Sequence, residues 1–391
     1  MLTATKPAPG ASARQQGPSV WRHFDVVLVV AVVAIGAFGC LMVYTATRDQ
    51  LQTAGLSPLY YVKKQAVFMV IGLVVMFAVA AIDYRRYRDW AALIYGLSIL
   101  VLLGVYAVGH KSRGAQAWFQ FGSYQLEPSE FAKISLIIAL ASFCAAAKGR
   151  LSGRSLLVLL ALALIPFALI YKQPDLGTAL VLAAVLLAVV VIGGASIRHL
   201  LILGLIGLVA AVGVVHFGIL KDYQQQRLAA FVNSPDQPDA ALLRSPQGAN
   251  EYNLAESKTA IGDGGLTGKG LGKGSQTNLS YVPEQRTDFI FSAVGEQLGL
   301  VGSGLLLLLF ALVIWRTWQA ATLSRDSVGT LICVGVLAMI AFQVFENVGM
   351  TMGIMPVAGI PLPLLSYGGS AVIATFAGIG LVLNVRMRRF T

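Results

Sequence analysis

Long apolar runs separated by short polar ones recur from residue 24 to residue 385. A bilayer core takes roughly 20 mostly apolar residues per helix. Ten stretches of about that length stand out, at 24–45, 62–82, 91–108, 131–147, 156–171, 176–193, 199–217, 289–315, 328–348 and 364–385. The pattern predicts an all-α polytopic membrane protein with ten transmembrane helices. The fifth stretch is short, and Pro356, Pro361 and Pro363 precede the tenth. Proline lacks a backbone donor, so this stretch is expected to be irregular or re-entrant, which a membrane tolerates only where protein or water satisfies the backbone. Residues 1–22 are polar and contain proline. They read as a disordered cytoplasmic tail, not as a cleavable leader, and leave 23–391 as the membrane domain.

Composition adds a second constraint. Of 391 residues 57% are hydrophobic and only 12% charged, against about 25% charged in ordinary globular chains, which excludes a water-soluble protein. A net charge of +11 would suggest a nucleic-acid partner in a soluble chain. Here it reports orientation, and no nucleic acid is expected. Arg85, Arg86, Arg88, Lys148, Arg150, Arg154, Arg316 and Arg325 fall in short connections, and Arg386, Arg388 and Arg389 close the chain. The positive-inside rule places all of them, and both termini, in the cytoplasm. That side holds 15 Lys and Arg against Asp25, Asp83, Asp89 and Asp326, while the other holds 14 residues of each sign. The whole excess is therefore a topology signal. Cys40, Cys144 and Cys333 lie singly in apolar runs, so neither a disulfide framework nor a zinc site is supported.

The one long connection, 218–288, lies between the seventh and eighth spans and is expected to be extracytoplasmic. Within it, 251–261 reads as a short interfacial helix. The glycine-rich run 262–274 has the look of a phosphate loop, but neither Gly-Lys pair is followed by Ser or Thr, which the phosphate loop requires. It reads as a mobile loop, or as backbone amides with Lys269 or Lys273 set near an anionic headgroup. Ionisable groups at the outer ends of spans carry more information, because burying them is costly. They form four clusters: Lys111 and Arg113 with Glu127, Glu130 and Lys133; Lys172 with Asp175; Glu284, Arg286 and Asp288; and Glu296 with Glu346. Snorkelling or simple ion pairing is the competing explanation for each.

Five motifs in order carry a resemblance. They are Trp118-Phe-Gln-Phe-Gly122, Pro128-Ser-Glu-Phe-Ala-Lys133, Gln173-Pro-Asp-Leu-Gly177, Pro283-Glu-Gln-Arg-Thr-Asp-Phe-Ile-Phe291 with Gly295-Glu296, and Gly359-Ile-Pro-Leu-Pro-Leu-Leu-Ser-Tyr-Gly-Gly-Ser370. Together they resemble the shape, elongation, division and sporulation (SEDS) family over nearly the whole chain after the tail, and the elongation members more than the division members. The resemblance implies a ten-helix glycosyltransferase in the bacterial cytoplasmic membrane that polymerises lipid II outside that membrane, beside a class B penicillin-binding protein as transpeptidase. It marks Asp288 as the essential aspartate, and Glu130 and Lys133 as site residues.

Chemistry agrees with that assignment. The acceptor sugar's 4-hydroxyl must lose a proton as it attacks the donor's anomeric carbon, and Asp288, where the outer loop enters the eighth span, is placed to act as general base. A lipid diphosphate leaves well once its charge is neutralised, so cations take the place of a glycosidase's acid. Lys133, Arg113 and Lys172 are the candidates, with Asp175, Glu284, Arg286 and Ser366 as further substrate contacts. For Ser366 close helix packing competes with that role. A divalent cation, Mg or Mn, is the one cofactor left open, and no cluster specifies it. Two positions depart from the family pattern: Ala117 stands where an arginine is usual, and Glu127 where a glutamine is usual. A lipid flippase and a scaffold for the transpeptidase are the alternatives; against transport, no inverted repeat is visible between the halves.

Overall fold

The computed structural model describes residues 23–112, 115–147, 151–216, 225, 231, 246–279, 281 and 284–390. The expected tail lies outside them, as does much of the long loop. The helices are α1 (Val26–Thr53), α2 (Tyr60–Ala81), α3 (Tyr84–Asp89), α4 (Ala91–Val108), α5 (Pro128–Ala146), α6 (Gly153–Lys172), α7 (Leu176–Ile192) and α8 (Ile197–His216). After the long loop come α9 (Pro246–Gly264), α10 (Ser275–Asn278), α11 (Ile290–Thr322), α12 (Ser327–Thr351) and α13 (Gly369–Met387). A helix covers each apolar stretch. Among the described residues eight of them are long and apolar enough to cross a membrane, whereas α7 is shorter at 17 residues. The all-α expectation needs one correction. A three-stranded antiparallel sheet, β1 (His110–Ser112), β2 (Ala115–Phe121) and β3 (Tyr124–Leu126), fills the connection between α4 and α5.

Apolar periodicity is weak because most of these helices are apolar on every face, and position in the bundle decides what each face meets. In α13, 83% of the apolar window is buried, against 17% in α4. The last helix is thus the core, packed along α2, while α4 turns Leu93, Leu97 and Leu100 outward. One end of the bundle is tied by charge. Asp25 caps α1 and is fully buried between Arg316 of α11 (2.6 Å) and Arg386 of α13 (2.8 Å). Tyr84 donates to Asp326, the cap of α12, at 2.9 Å. The start of α1 and the ends of α11 and α13 therefore share one end.

Helix α11 is broken at Gly299 (φ 63°, ψ −162°). A break frees the N–H groups of Leu300 and Val301 and the carbonyls of Glu296 and Gln297, and in apolar surroundings each unpaired group costs several kcal/mol. The glycine-rich run supplies every missing partner. Gly265 and Leu266 carbonyls accept from Leu300 (2.9 Å) and Val301 (3.1 Å), while Lys269 and Gly270 donate to Glu296 (3.0 Å) and Gln297 (2.9 Å). The run is therefore an ordered clasp, not a mobile loop. Helix α9, read above as interfacial, packs on α11 with Leu254, Ala255 and Ser257 buried. At Gly268 (φ 79°) an added Cβ would lie 2.2 Å from the Gln297 carbonyl oxygen.

Gly268→Ala is accordingly expected to destabilise the protein by at least about 1 kcal/mol from backbone strain alone, seen as a lower thermal midpoint in detergent. Gly262→Ala, on an exposed helical position with nothing within 4 Å, is expected to leave the midpoint unchanged or raise it.

Candidate active site

The turn ahead of α11 is held at four consecutive residues. Gln285 donates to the carbonyls of Ala46 and Thr277, both at 2.8 Å. The Arg286 carbonyl accepts from the Tyr367 N–H (2.9 Å), that of Thr287 from the Ser366 hydroxyl (2.6 Å), and that of Asp288 from the Asn347 amide (2.7 Å). Three of these partners lie at the end of α12 or in the proline-rich stretch, which is irregular as expected and buried within protein. Asn347 also donates to Ile360 (2.7 Å), Ser366 accepts from the Leu362 N–H (2.9 Å), and Gln65 donates to the Ser366 carbonyl (3.1 Å). Gly177 lets the stretch lie against α7, since a Cβ there would meet the Ala358 carbonyl at 2.9 Å.

These elements enclose a cavity of about 880 Å³. Five helices begin at it: α2 at Tyr60, α5 behind Glu127, α7 behind Asp175, α11 behind Asp288, and α13 at Gly369. The sheet contributes Ala117, Trp118 and Tyr124. A helix start carries unpaired N–H groups and about half a positive charge. No side chain caps α2, α11 or α13, whereas the Asp175 carboxylate caps α7 by accepting from the Thr178 N–H at 2.9 Å. Five carboxylates, Glu127, Glu130, Asp175, Glu284 and Asp288, line this field of helix ends.

Two of those acids share a donor. The Ser129 hydroxyl lies 3.2 Å from Glu127 Oε1 and 3.4 Å from Asp175 Oδ2, and the Trp118 indole donates to Glu127 Oε2 at 3.2 Å. Burial first, and then the neighbouring Asp175 and Glu130, push the Glu127 carboxyl up to about 8, against the pull of Lys133 and the Ser129 bond. At neutral pH Glu127 is therefore mostly a neutral acid. On the aromatic side, burial pushes the Tyr367 hydroxyl up to about 12, so it stays protonated.

The cavity brings together Asp288, Glu130, Asp175, Glu284 and Arg286. Lys133 sits just behind it, buried and bonded to Glu130 at 2.8 Å. Its charge is already matched, so the structure does not present it to the cavity. Lys172 is exposed at the end of α6 and does not line the cavity. Ser366 is engaged by backbone on both sides and does not line it either. Arg113 lies outside the described residues. Of the fourth cluster, Glu296 is fully buried and accepts from the N–H groups of Gln276 (2.8 Å) and Thr277 (2.9 Å), capping α10. Lys269 is held by Asp263 at 2.8 Å. Sequence reasoning did not single out Lys64, Tyr60, Tyr61 or Tyr367; an aromatic pair followed by lysines at the outer start of a span was the available signal. A divalent cation finds no set of three His, Cys, Asp or Glu ligands among the described residues.

Comparison with known proteins bears on what such a cavity does. The family model for FtsW, RodA and SpoVE, described as cell cycle protein, matches residues 25–390. Stage V sporulation protein E of Bacillus subtilis (strain 168) is 34% identical over 365 residues, covering 92% of this chain and 96% of that protein. Peptidoglycan glycosyltransferase MrdB of Escherichia coli (strain K12) is 35% identical over 367 residues, 94% of each. Among solved structures, a chain from work on the structural coordination of polymerization and crosslinking by a peptidoglycan synthase complex superposes with a TM-score of 0.77 at 33% identity, over 94% of this chain and 99% of that one.

Glu127 gives a pH test. Its folded-state carboxyl is raised above the ordinary value of 4.5, so the native state binds the extra proton and loses stability as pH rises from about 4.5 to about 8. Glu127→Gln is expected to flatten that decline, read as thermal midpoints at stepped pH. Parallel wild-type and variant curves would show that Glu127 is ionised throughout.

Proposed function

The chain belongs to the FtsW, RodA and SpoVE family of cell cycle proteins, the SEDS family, and from that premise we propose that it polymerises lipid II into glycan strands with Asp288 as general base. It is a peptidoglycan glycosyltransferase. The observation that carries the mechanism is the Gln285–Asp288 turn: it is held by the Gln285 side chain and by the carbonyls of the next three residues, and Asp288 lines a polar cavity large enough for sugars. A base must be held within hydrogen-bond reach of the proton it removes, and such a turn is the kind of support that does so.

The acceptor 4-hydroxyl oxygen bonds to the donor's anomeric carbon, and its proton passes to the Asp288 carboxylate. The bond from that carbon to the phosphate oxygen breaks, and the electron pair leaves with the polyprenyl diphosphate. Glu130, Asp175, Glu284 and Arg286 bind the substrate, and the ion pair with Lys133 holds the Glu130 carboxylate in place. We also propose ten spans, from the apolar stretches, with both termini in the cytoplasm and the cavity facing outward, from the charge distribution of the loops. The tied end of the bundle supports this, since Asp25 and Arg386 meet there. A class B penicillin-binding protein is the proposed partner, supported by the resemblance to a chain of a peptidoglycan synthase complex. Service in elongation rather than division is proposed from the glycine and proline motifs.

Asp288→Asn tests the assignment. An amide cannot take up the proton, so polymerisation of labelled lipid II by the purified protein with its partner is expected to fall roughly 100- to 10,000-fold while the thermal midpoint is kept. Near-normal polymer from the variant removes Asp288 as base.

A further inference from the structure

The cavity is rich in acid, yet the proposed donor arrives with a diphosphate, so cations must meet it. Among the described residues only Lys64 and Arg286 bring a basic side chain to the lining. Lys64 lies in the first turns of α2. Its ammonium donates to the Tyr60 hydroxyl and the Ser123 carbonyl, both at 2.8 Å, and sits 4.4 Å from the centre of the Tyr60 ring and 5.4 Å from that of Tyr124. The Arg286 guanidinium sits 4.5 Å over Tyr61, whose ring meets Tyr367 edge-on at 5.1 Å. Aromatic faces hold a cation without cancelling its charge. Neither residue makes an ion pair among the described residues. A lysine ammonium has three N–H groups; two are engaged with neutral acceptors and one is open.

This contrasts with the other cations. Lys133 is matched by Glu130, and Lys172 stands away from the cavity. We propose that Lys64, together with Arg286, binds the diphosphate of the lipid-linked donor and takes up the negative charge that grows on its oxygen as the anomeric bond breaks. The proposal rests on the cavity being the polymerisation site, and it concerns binding of the leaving group rather than proton removal. Arg286, on the same turn as Asp288, places that charge beside the base, and Lys64 approaches from α2.

The test is direct binding of a long-chain polyprenyl diphosphate to the full-length protein in nanodiscs, with polyprenyl monophosphate, inorganic pyrophosphate and phosphatidylglycerol as separate arms. Lys64→Gln is expected to weaken polyprenyl diphosphate binding about tenfold and to narrow its preference over the monophosphate. Lys64→Arg is expected to restore most of it. Lys63→Gln, on the exposed neighbour, is expected to change nothing. Unchanged diphosphate affinity in Lys64→Gln overturns the proposal, as does equal competition by phosphatidylglycerol, which would make Lys64 a general headgroup contact. Should Lys64→Gln not fold, Lys64→Met, which keeps the stem against the tyrosines, is judged by the same criterion. Running each arm also in Asp288→Asn separates the two readings: a polymerising Asp288→Asn that still needs Lys64 for diphosphate binding removes the base and leaves this site standing.

Discussion

The carbonyls of Arg286, Thr287 and Asp288 are each paired by a group from the end of α12 or the stretch that follows it, and the cavity exists because of that pairing. An apolar bundle does not tolerate open backbone. Two neighbouring segments solve the problem by satisfying each other: the turn before α11 offers carbonyls, and the end of α12 with the stretch after it offers Asn347, Ser366 and the Tyr367 amide. The same logic governs the break at Gly299, where a glycine clasp returns two carbonyls and two N–H groups to a helix that has lost them. Rigidity follows as a by-product. Asp288 has a fixed backbone and a half-buried side chain, which is the combination a general base requires.

Helix direction then sets the electrostatics. Five starts meet at the cavity, so their positive ends sum there, and the five lining carboxylates sit in a field that favours anions. Glu127 is the exception, because burial, and then the charges of Asp175 and Glu130, raise its carboxyl. Its neutral form leaves the cavity with one negative charge fewer than its five acids would give. The lining thus divides into an acceptor region built from the starts of α5 and α7, and a cationic, aromatic region built from α2 and the turn at Arg286.

Much of this was legible in the sequence, for identifiable reasons. Asp288 stands where a polar loop enters an apolar run, and an acid at such a boundary is conspicuous. The proline-rich stretch announced its irregularity through missing donors. Other features were hidden by the same rules. The sheet was missed because β2 occupies a gap too short and too polar to be a span, and it was passed over as a connection. For Lys133 the sequence left substrate contact and ion pairing both open, and the bond to Glu130, one helical turn away, is visible only in the structure. Lys64 was not singled out, because the tyrosines around it come partly from α2 and partly from β3. The clasp was read as mobile because glycine signals freedom unless its partner is visible, and that partner is a break at one glycine inside a long apolar helix.

A structure of the Asp288→Asn variant trapped with lipid II, determined by electron cryo-microscopy, would put the account at risk in a single experiment. The acceptor 4-hydroxyl is expected within hydrogen-bond distance of the residue 288 side chain, and the diphosphate beside Lys64 at the start of α2 and Arg286 in the turn before α11. Lipid II bound elsewhere on the bundle, or in the cavity with its sugars away from residue 288, would contradict it.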